Sequence, residues 1–386
     1  MYEHEQNLFP ELKKDLESLF SAGILPSQKI RELTEQGHIF ADTKIEEAQI
    51  QPASIDLRLG PTAYRVQASF LPGPTSTVAT KIRDLIMTEV NLTHPAAFEK
   101  GCVYIVPLME SLHLPNDVLA KANPKSSTGR LDIFTRLICD YGEEFERTPK
   151  GYKGKLYIEI VPRTFTVILR EGMRLNQLRF VRGFTDPSDS QLHKLDKQET
   201  LVYTEEGSPQ TAIIDEGLNI SVNLQGDKNS NIIGYRAKKN APAIDLTKIN
   251  GYYPAGDFWD TISAPTNKTI ILSPDDFHIL VSKQKVRIPH DYAAEMVAYD
   301  PSIGEFRIHY AGFFDPGFGY GSGDIEGTPA VLEVRSHEVP FLIEDGQIVG
   351  RLIYERLLAK PDKIYGMNIG SSYQQQGLTL SKYFKV

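Results

Sequence analysis

Cysteine is nearly absent: Cys102 and Cys139 are the only two in 386 residues, each in an apolar setting, "GCVYIV" and "RLICDY". So few thiols exclude a disulfide framework and read as buried free cysteines of a reducing, cytosolic protein. No C-x-x-C and no H-x-E occurs, and "SHEVP" at 336–340 has the wrong spacing. The zinc chemistry of hydrolases built on H-x-E and P-C-x-x-C is thereby removed, and no protein-bound zinc is expected. The nine histidines are scattered, with no H-x₃-H pair, so no metal-ligating residues are expected either. No apolar run reaches the roughly 18 residues that span a membrane. The start, "MYEHEQNLFPELKK", has no apolar region behind a basic one, so neither secretion nor a membrane is expected. The Walker spacing G-x₄-G-K-[ST] is missing, and "GFGYGSG" at 317–323 reads as a flexible loop. Positive charge is in deficit too. A net charge of −8 argues against nucleic acid or an anionic membrane as partner. It leaves room for a local polyphosphate site in which Mg²⁺ neutralises the ligand.

What is present is a soluble globular composition, 41% hydrophobic and 24% charged, long enough for two domains. Residues 1–40 read as a helical segment: Leu8, Phe9, Leu12, Leu16, Leu19 and Phe20 recur at helical spacing. A second short helix follows, with Ser27 as N-cap, Ile30 and Leu33 on one face and Gly37 as stop. Beyond it β signals dominate, in runs such as "CVYIVPL", "KLYIEIV" and "FTVILR" separated by turn residues. The 29 glycines and 24 prolines suit such a turn-rich β architecture.

The β region repeats. "HLPNDVLAKANPKSSTGRLDIF" (113–134) aligns with "RIPHDYAAEMVAYDPSIGEFRI" (287–308), Pro115 on Pro289 and Gly129 on Gly304. "LYIEIVPRTFTVILREGMRLNQLRF" (156–180) aligns with "AVLEVRSHEVPFLIEDGQIVGRLIY" (330–354), Glu159 on Glu333 and Gly172 on Gly346. "ASIDLRL" (53–59) faces "ISVNLQG" (220–226) more weakly. Three matches in one order and near-constant separation indicate two diverged copies of one β domain, 41–196 and 197–386, with a polar linker around 186–200. The copies differ in charge. Asp56, Arg130 and Gln177 of the first are replaced by Asn223, Glu305 and Arg351. A carboxylate in place of a guanidinium repels the anion that the other attracts.

Two stretches are candidates for chemistry. "KSSTGR" (125–130) is either a polar loop between strands or an anion cradle of hydroxyls, backbone N–H groups and a guanidinium. Glu159 lies between Ile158 and Ile160, whose side chains turn to the other face. It is either an outward-facing strand glutamate or a desolvated carboxylate suited to moving protons near neutral pH. Arg130 likewise reads as a structural ion pair or a site residue, and Asp56 as a fold-supporting acceptor.

Together these stretches resemble the deoxycytidine triphosphate deaminases. "IQPASIDLRLG" (50–60) is similar to the start of that family, "KSSTGR" to its triphosphate turn, and "GYKGKLYIEI" (151–160) to its G-[WY]-x-G strand with the catalytic glutamate. "QQGLTLSK" (375–382) is similar to its closing tail. The resemblance covers 24–180 well and 216–360 as a diverged repeat, and is strongest to a long form with two domains per chain. It implies a mainly β chain of two tandem dUTPase-like domains, each a distorted β jelly-roll, assembled as a homotrimer. It further implies deamination of dCTP to dUTP and ammonia, with Mg²⁺ on the triphosphate and dTTP as a feedback inhibitor. Carried onto this chain, Glu159, Arg130 and Ser126 form the catalytic set, and Lys125, Ser126, Ser127, Thr128, Gly129 and Arg130 form the cradle. Asp140, Tyr152 and Gln177 would contact sugar or base, and Gln375 and Gly377 would close over the nucleotide.

One departure stands out: the first copy reads "RTPKGYKG" where relatives carry D-P-G, while the second copy keeps Asp315 in "FDPGFG". Asp140 or Glu143 would then supply the sugar contact, or the site would be shared between copies. Glu159→Gln is expected to keep dCTP binding and lower turnover about 10²–10⁴-fold or more, Glu333→Gln to cost far less, the tail to close between chains, and loss of 371–386 to leave stability nearly unchanged while sharply weakening turnover. A dUTP pyrophosphatase, a bifunctional enzyme and a non-catalytic nucleotide-binding regulator are the alternatives.

Overall fold

The apolar runs fold as strands, and the internal repeat is visible in how they pair. The computed structural model describes residues 22–185, 188–226, 230–298, 306–308, 312–320, 326–336, 339–366 and 377–385. The chain is mainly β, as expected. In the first half, strand β1 (Ile55–Arg58) and strand β3 (Val118–Pro124) flank β6 (Arg174–Arg182), all antiparallel. Strand β5 (Lys153–Pro162) lies between β2 (Val103–His113) and β4 (Ile133–Cys139). The second half repeats this. Strands β7 (Leu218–Ser221) and β9 (Tyr292–Ala298) flank β11 (Ile348–Arg356). Strand β10 (Thr328–Ser336) pairs with β8 (Phe277–Val286) and with residues Phe306–Ile308. The two aligned glutamates sit on the corresponding strands, Glu159 on β5 and Glu333 on β10.

Helix α1 (Ser27–Glu35) buries Ile30 and Leu33 and is followed by Gly37 at φ 74°, as its pattern demands. Its cap differs from expectation. Pro26 occupies the N-cap in extended geometry, and the Ser27 hydroxyl instead donates to the carboxylate of Asp362 in the second half. The helix expected over Leu8–Phe20 lies outside the described residues. Residues 22–40 are sewn into the first half, Gly23–Ile24 pairing with β6 and Ile39–Phe40 with β2. The stretch read as a linker is helix α2 (Asp189–Glu199). Ser188 and Gln191 form a reciprocal capping box, and Leu192 and Leu195 pack into the second core.

The halves share their interior. Trp259, Phe277, Ile279, Leu380 and Phe384 from the second half complete the first half's core. A buried ion cluster also joins them. Lys121 Nζ lies 2.5 Å from Glu355 Oε1 and 2.9 Å from Glu295 Oε2, while Arg179 Nη1 donates to Glu355 Oε2 at 3.2 Å. Glu355 and Arg179 are fully buried. Breaking such a pair from one side strands the partner charges. Glu355→Gln is therefore expected to cost about 3–5 kcal/mol, read as a lower urea midpoint at unchanged slope. An unchanged midpoint would show that the cluster contributes nothing to stability.

Candidate active site

Strand β3 ends in Pro124, and Lys125 enters a single helical turn, Ser126–Gly129, in extended geometry. The turn is fastened to β6: Lys125 N–H and the Thr128 hydroxyl both donate to Leu175 O, at 2.8 and 2.9 Å. The Thr128 hydroxyl is thus spent on the fold. Lys125 Nζ lies 2.5 Å from the Asp56 carboxylate, which keeps the ammonium beside the turn.

Opposite this turn stands a wall from the second half. Lys125, Ser126, Gly129 and Arg130 share one cavity with Phe313, Asp315, Val331 and Glu333, enclosing about 670 Å³ out to its open mouth. Arg130 and Glu333 are both buried, with Arg130 Nε 4.0 Å from Glu333 Oε1. The gap is ionic rather than hydrogen-bonded. Burial pushes the Glu333 carboxyl up to about 7, against the pull of the Arg130 charge. Burial likewise pushes Asp315 up to about 6, opposed by Arg179 and Lys125 and reinforced by Asp56. Two carboxyls that titrate near neutrality in one cleft beside an arginine are candidates for proton transfer.

The loop carrying Asp315 rests on Arg179. This guanidinium donates to Ala294 O at 3.1 Å and Phe314 O at 3.3 Å, and lies 3.9 Å over the Phe313 ring. On the cradle's other side lies the C-terminal segment. Arg130 Nη1 donates to Thr379 O at 3.0 Å, and the Ser381 hydroxyl donates to Ser127 O at 2.9 Å. The tail expected to close between chains reaches the cradle within its own chain.

The remaining expected residues lie elsewhere. Glu159 does not line the cavity. Its Oε1 accepts from Arg136 Nε and Nη2 at 2.9 and 2.6 Å, and that guanidinium stacks 3.5 Å over the Phe145 ring. The strand pairing causes this, because Glu159 stands directly opposite Arg136 on β4. Asp140 accepts from Val78 N–H at 2.8 Å, and the Tyr152 hydroxyl donates to Lys155 O at 2.7 Å. Gln177 accepts from Ser54 at 3.4 Å. None of these three lines the cavity. Gly377 is exposed near Thr379, and Gln375 lies outside the described residues. A site shared between the copies was one of two expectations, raised by the "FDPGFG" loop and the preserved glutamate of the second copy; Asp315 and Glu333 do stand at the Arg130 turn, although the catalytic role had been given to Glu159.

Residues 21–184 match the family model described as the 2'-deoxycytidine 5'-triphosphate deaminase N-terminal domain, and residues 188–384 match the C-terminal domain of the same description. A crystal structure of 2'-deoxycytidine 5'-triphosphate deaminase from Agrobacterium tumefaciens is 49% identical. It covers 87% of this chain and 99% of its own, with a TM-score of 0.83. The "dCTP deaminase" of Haloarcula marismortui is 32% identical over 177 residues, 43% of this chain and 83% of the relative. The "dCTP deaminase, dUMP-forming" of Methanosphaera stadtmanae is 27% identical over 204 residues, 51% and 96% of the two chains.

Proposed function

The chain belongs to the dCTP deaminase family, and from that premise we propose that it converts dCTP to dUTP and ammonia in a site shared by its two halves, with Glu333 as proton shuttle. The observation that carries this is the cradle of Lys125, Ser126 and Arg130 facing Glu333 across one cavity. Hydrolytic deamination adds water at C4, delivers a proton to N3 and expels ammonia. A carboxyl titrating near 7 can accept the water's proton and return it to the base. Arg130, at ion-pair distance, stabilises the carboxylate and orients it. Ser126 and Lys125 meet the triphosphate, which arrives with its own Mg²⁺. Asp315, in the same cavity and partly ionised near pH 6, suits the sugar 3'-hydroxyl.

Asp315 also favours a second reading, in which dUMP and pyrophosphate are released. The loop lining the cavity carries an aspartate able to hold a water, unlike "RTPKGY" of the first copy. Incubation with dCTP and Mg²⁺, followed by assay of ammonia, dUTP, dUMP and pyrophosphate, separates the readings. Ammonia with dUTP supports the first, pyrophosphate with dUMP the second, and tight binding without products a regulator. Homotrimeric assembly and dTTP inhibition at the same cavity belong to this proposal, and sedimentation and dTTP competition test them. A cytosolic setting is part of it too, supported by the free thiols Cys102 and Cys139.

The titration of Glu333 predicts the pH profile. The free enzyme needs the carboxylate to accept a proton, so kcat/KM should fall below an apparent pKa near 7 as pH drops. A flat profile between pH 5.5 and 8 would remove Glu333 as the base.

A further inference from the structure

Asp132 holds φ 55°, a left-handed conformation that glycine adopts freely and an aspartate adopts under strain. The residue stands two places after Arg130 and is 1% exposed. Its carboxylate accepts from the Thr164 hydroxyl at 2.5 Å and from Arg335 Nη2, and Arg335 reaches it from the other half of the chain. Arg335 also donates to Thr164 Oγ1 at 3.0 Å and to Asp275 O at 2.7 Å. Strand alternation puts Arg335 on the same face of β10 as Glu333. Two opposite charge pairs of reversed polarity therefore lie side by side, Arg130 with Glu333 and Asp132 with Arg335. On β5 the aligned position two residues after Glu159 is Val161, so the added cation accompanies only the glutamate that faces the cavity.

We propose that the Asp132–Arg335 ion pair is a positioning clasp that fixes the turn carrying Arg130 against the strand carrying Glu333, holding the two at ionic distance. This rests on the reading of Glu333 as proton shuttle. The clasp sets register in both directions. Asp132 N–H donates to Gly129 O at 2.8 Å and Arg163 N–H to Asp132 O at 2.9 Å, so the backbone around the carboxylate is tied to the cradle turn and to the end of β5. Asp132 also neutralises Arg335, which would otherwise add a second positive charge to the face of β10 that holds Glu333. Among the described residues Arg130 is the charge nearest Glu333, at 4.0 Å; Lys125, on the same turn as Arg130, and Asp315, from the second half, line the same cavity, and Arg335 on Glu333's own strand is held by Asp132 and lies 3.9 Å from Asp275 Oδ1.

Asp132→Gly tests this, because glycine keeps φ 55° without strain while deleting the clasp. The expected result is a kcat for dCTP lowered about 10–100-fold with KM changed less than about threefold. The acidic limb of the pH profile should move to lower pH, since an Arg335 left with only the exposed Asp275 carboxylate, 3.9 Å away, favours the ionised form of Glu333. A merely structural role would lower the melting temperature and leave the limb in place. Asp132→Asn, of the same shape and tolerant of the left-handed region, decides the question if the glycine variant does not fold. Wild-type kcat and an unmoved limb in the folded variants, with Glu333→Gln inactive in the same assay, would overturn the clasp. An active Glu333→Gln would instead overturn the underlying reading.

Discussion

Glu333→Gln is expected to lower turnover of dCTP by about 10²–10⁴-fold while the protein still binds the nucleotide, and Glu159→Gln to leave turnover within about threefold. This reverses the ranking that motif order suggests. Glu159 is spent on Arg136 by two hydrogen bonds and does not line the cavity. Glu333 meets Arg130 in the cavity at 4.0 Å, with no tighter ion pair among the described residues. Stability should respond in the opposite sense. Burial raises the folded-state pKa of Glu333 from 4.5 to about 7, so the folded form favours the proton and loses stability as pH climbs through that window. Glutamine removes the penalty of a buried charge. Glu333→Gln should therefore gain roughly 1–3 kcal/mol over wild type at pH 8 and nothing below about pH 4.5. Glu159→Gln should instead lose about 1–3 kcal/mol, because it leaves Arg136 without its acceptor. Single-turnover kinetics with melting curves at pH 5 and 8 check both. Equal loss of turnover in the two variants would mean that each half supplies a catalytic carboxylate.

The fold was legible because its signals are periodic: β alternation, turn glycines and three repeated segments constrain the same answer. The turn was legible for a different reason, since it is one contiguous stretch, of which Lys125, Ser126, Gly129 and Arg130 line the cavity. The carboxylate was not. Alternation says which face Glu159 takes, but only strand pairing puts Arg136 opposite it. The partner that Arg130 meets comes from the other copy, and no local pattern encodes such a contact. The capping box at Ser188 and the apolar pair Leu192 and Leu195 were present in the sequence, yet the polar residues around them made a helix read as a linker. Asp132 shows the same limit at one residue. Its positive φ and its buried partner are both invisible in "GRLDIF".

Deleting residues 371–386 is expected to damage stability and turnover together, against the simpler view of a polar end that closes only when nucleotide is bound. Within the described part, Leu380 is 1% and Phe384 6% exposed, and both belong to the first core. Phe384 packs against Tyr253, Phe258 and Trp259 at ring separations of 6.4, 5.3 and 5.9 Å. Strand Phe384–Lys385 runs parallel to Tyr253–Pro254. Loss of two such side chains costs at least about 3 kcal/mol, seen as a melting temperature lower by several degrees. Turnover should fall about 10²-fold or more, because Arg130 loses its bond to Thr379 O and can drift from Glu333. Two point variants separate the effects. Phe384→Ala should lower the melting temperature with less effect on chemistry. Ser381→Ala should leave it nearly unchanged while weakening dCTP binding by up to about tenfold, the value of one hydrogen bond to Ser127 O. If the truncated protein melts and turns over dCTP like the full chain, the segment is neither a core element nor a brace for Arg130.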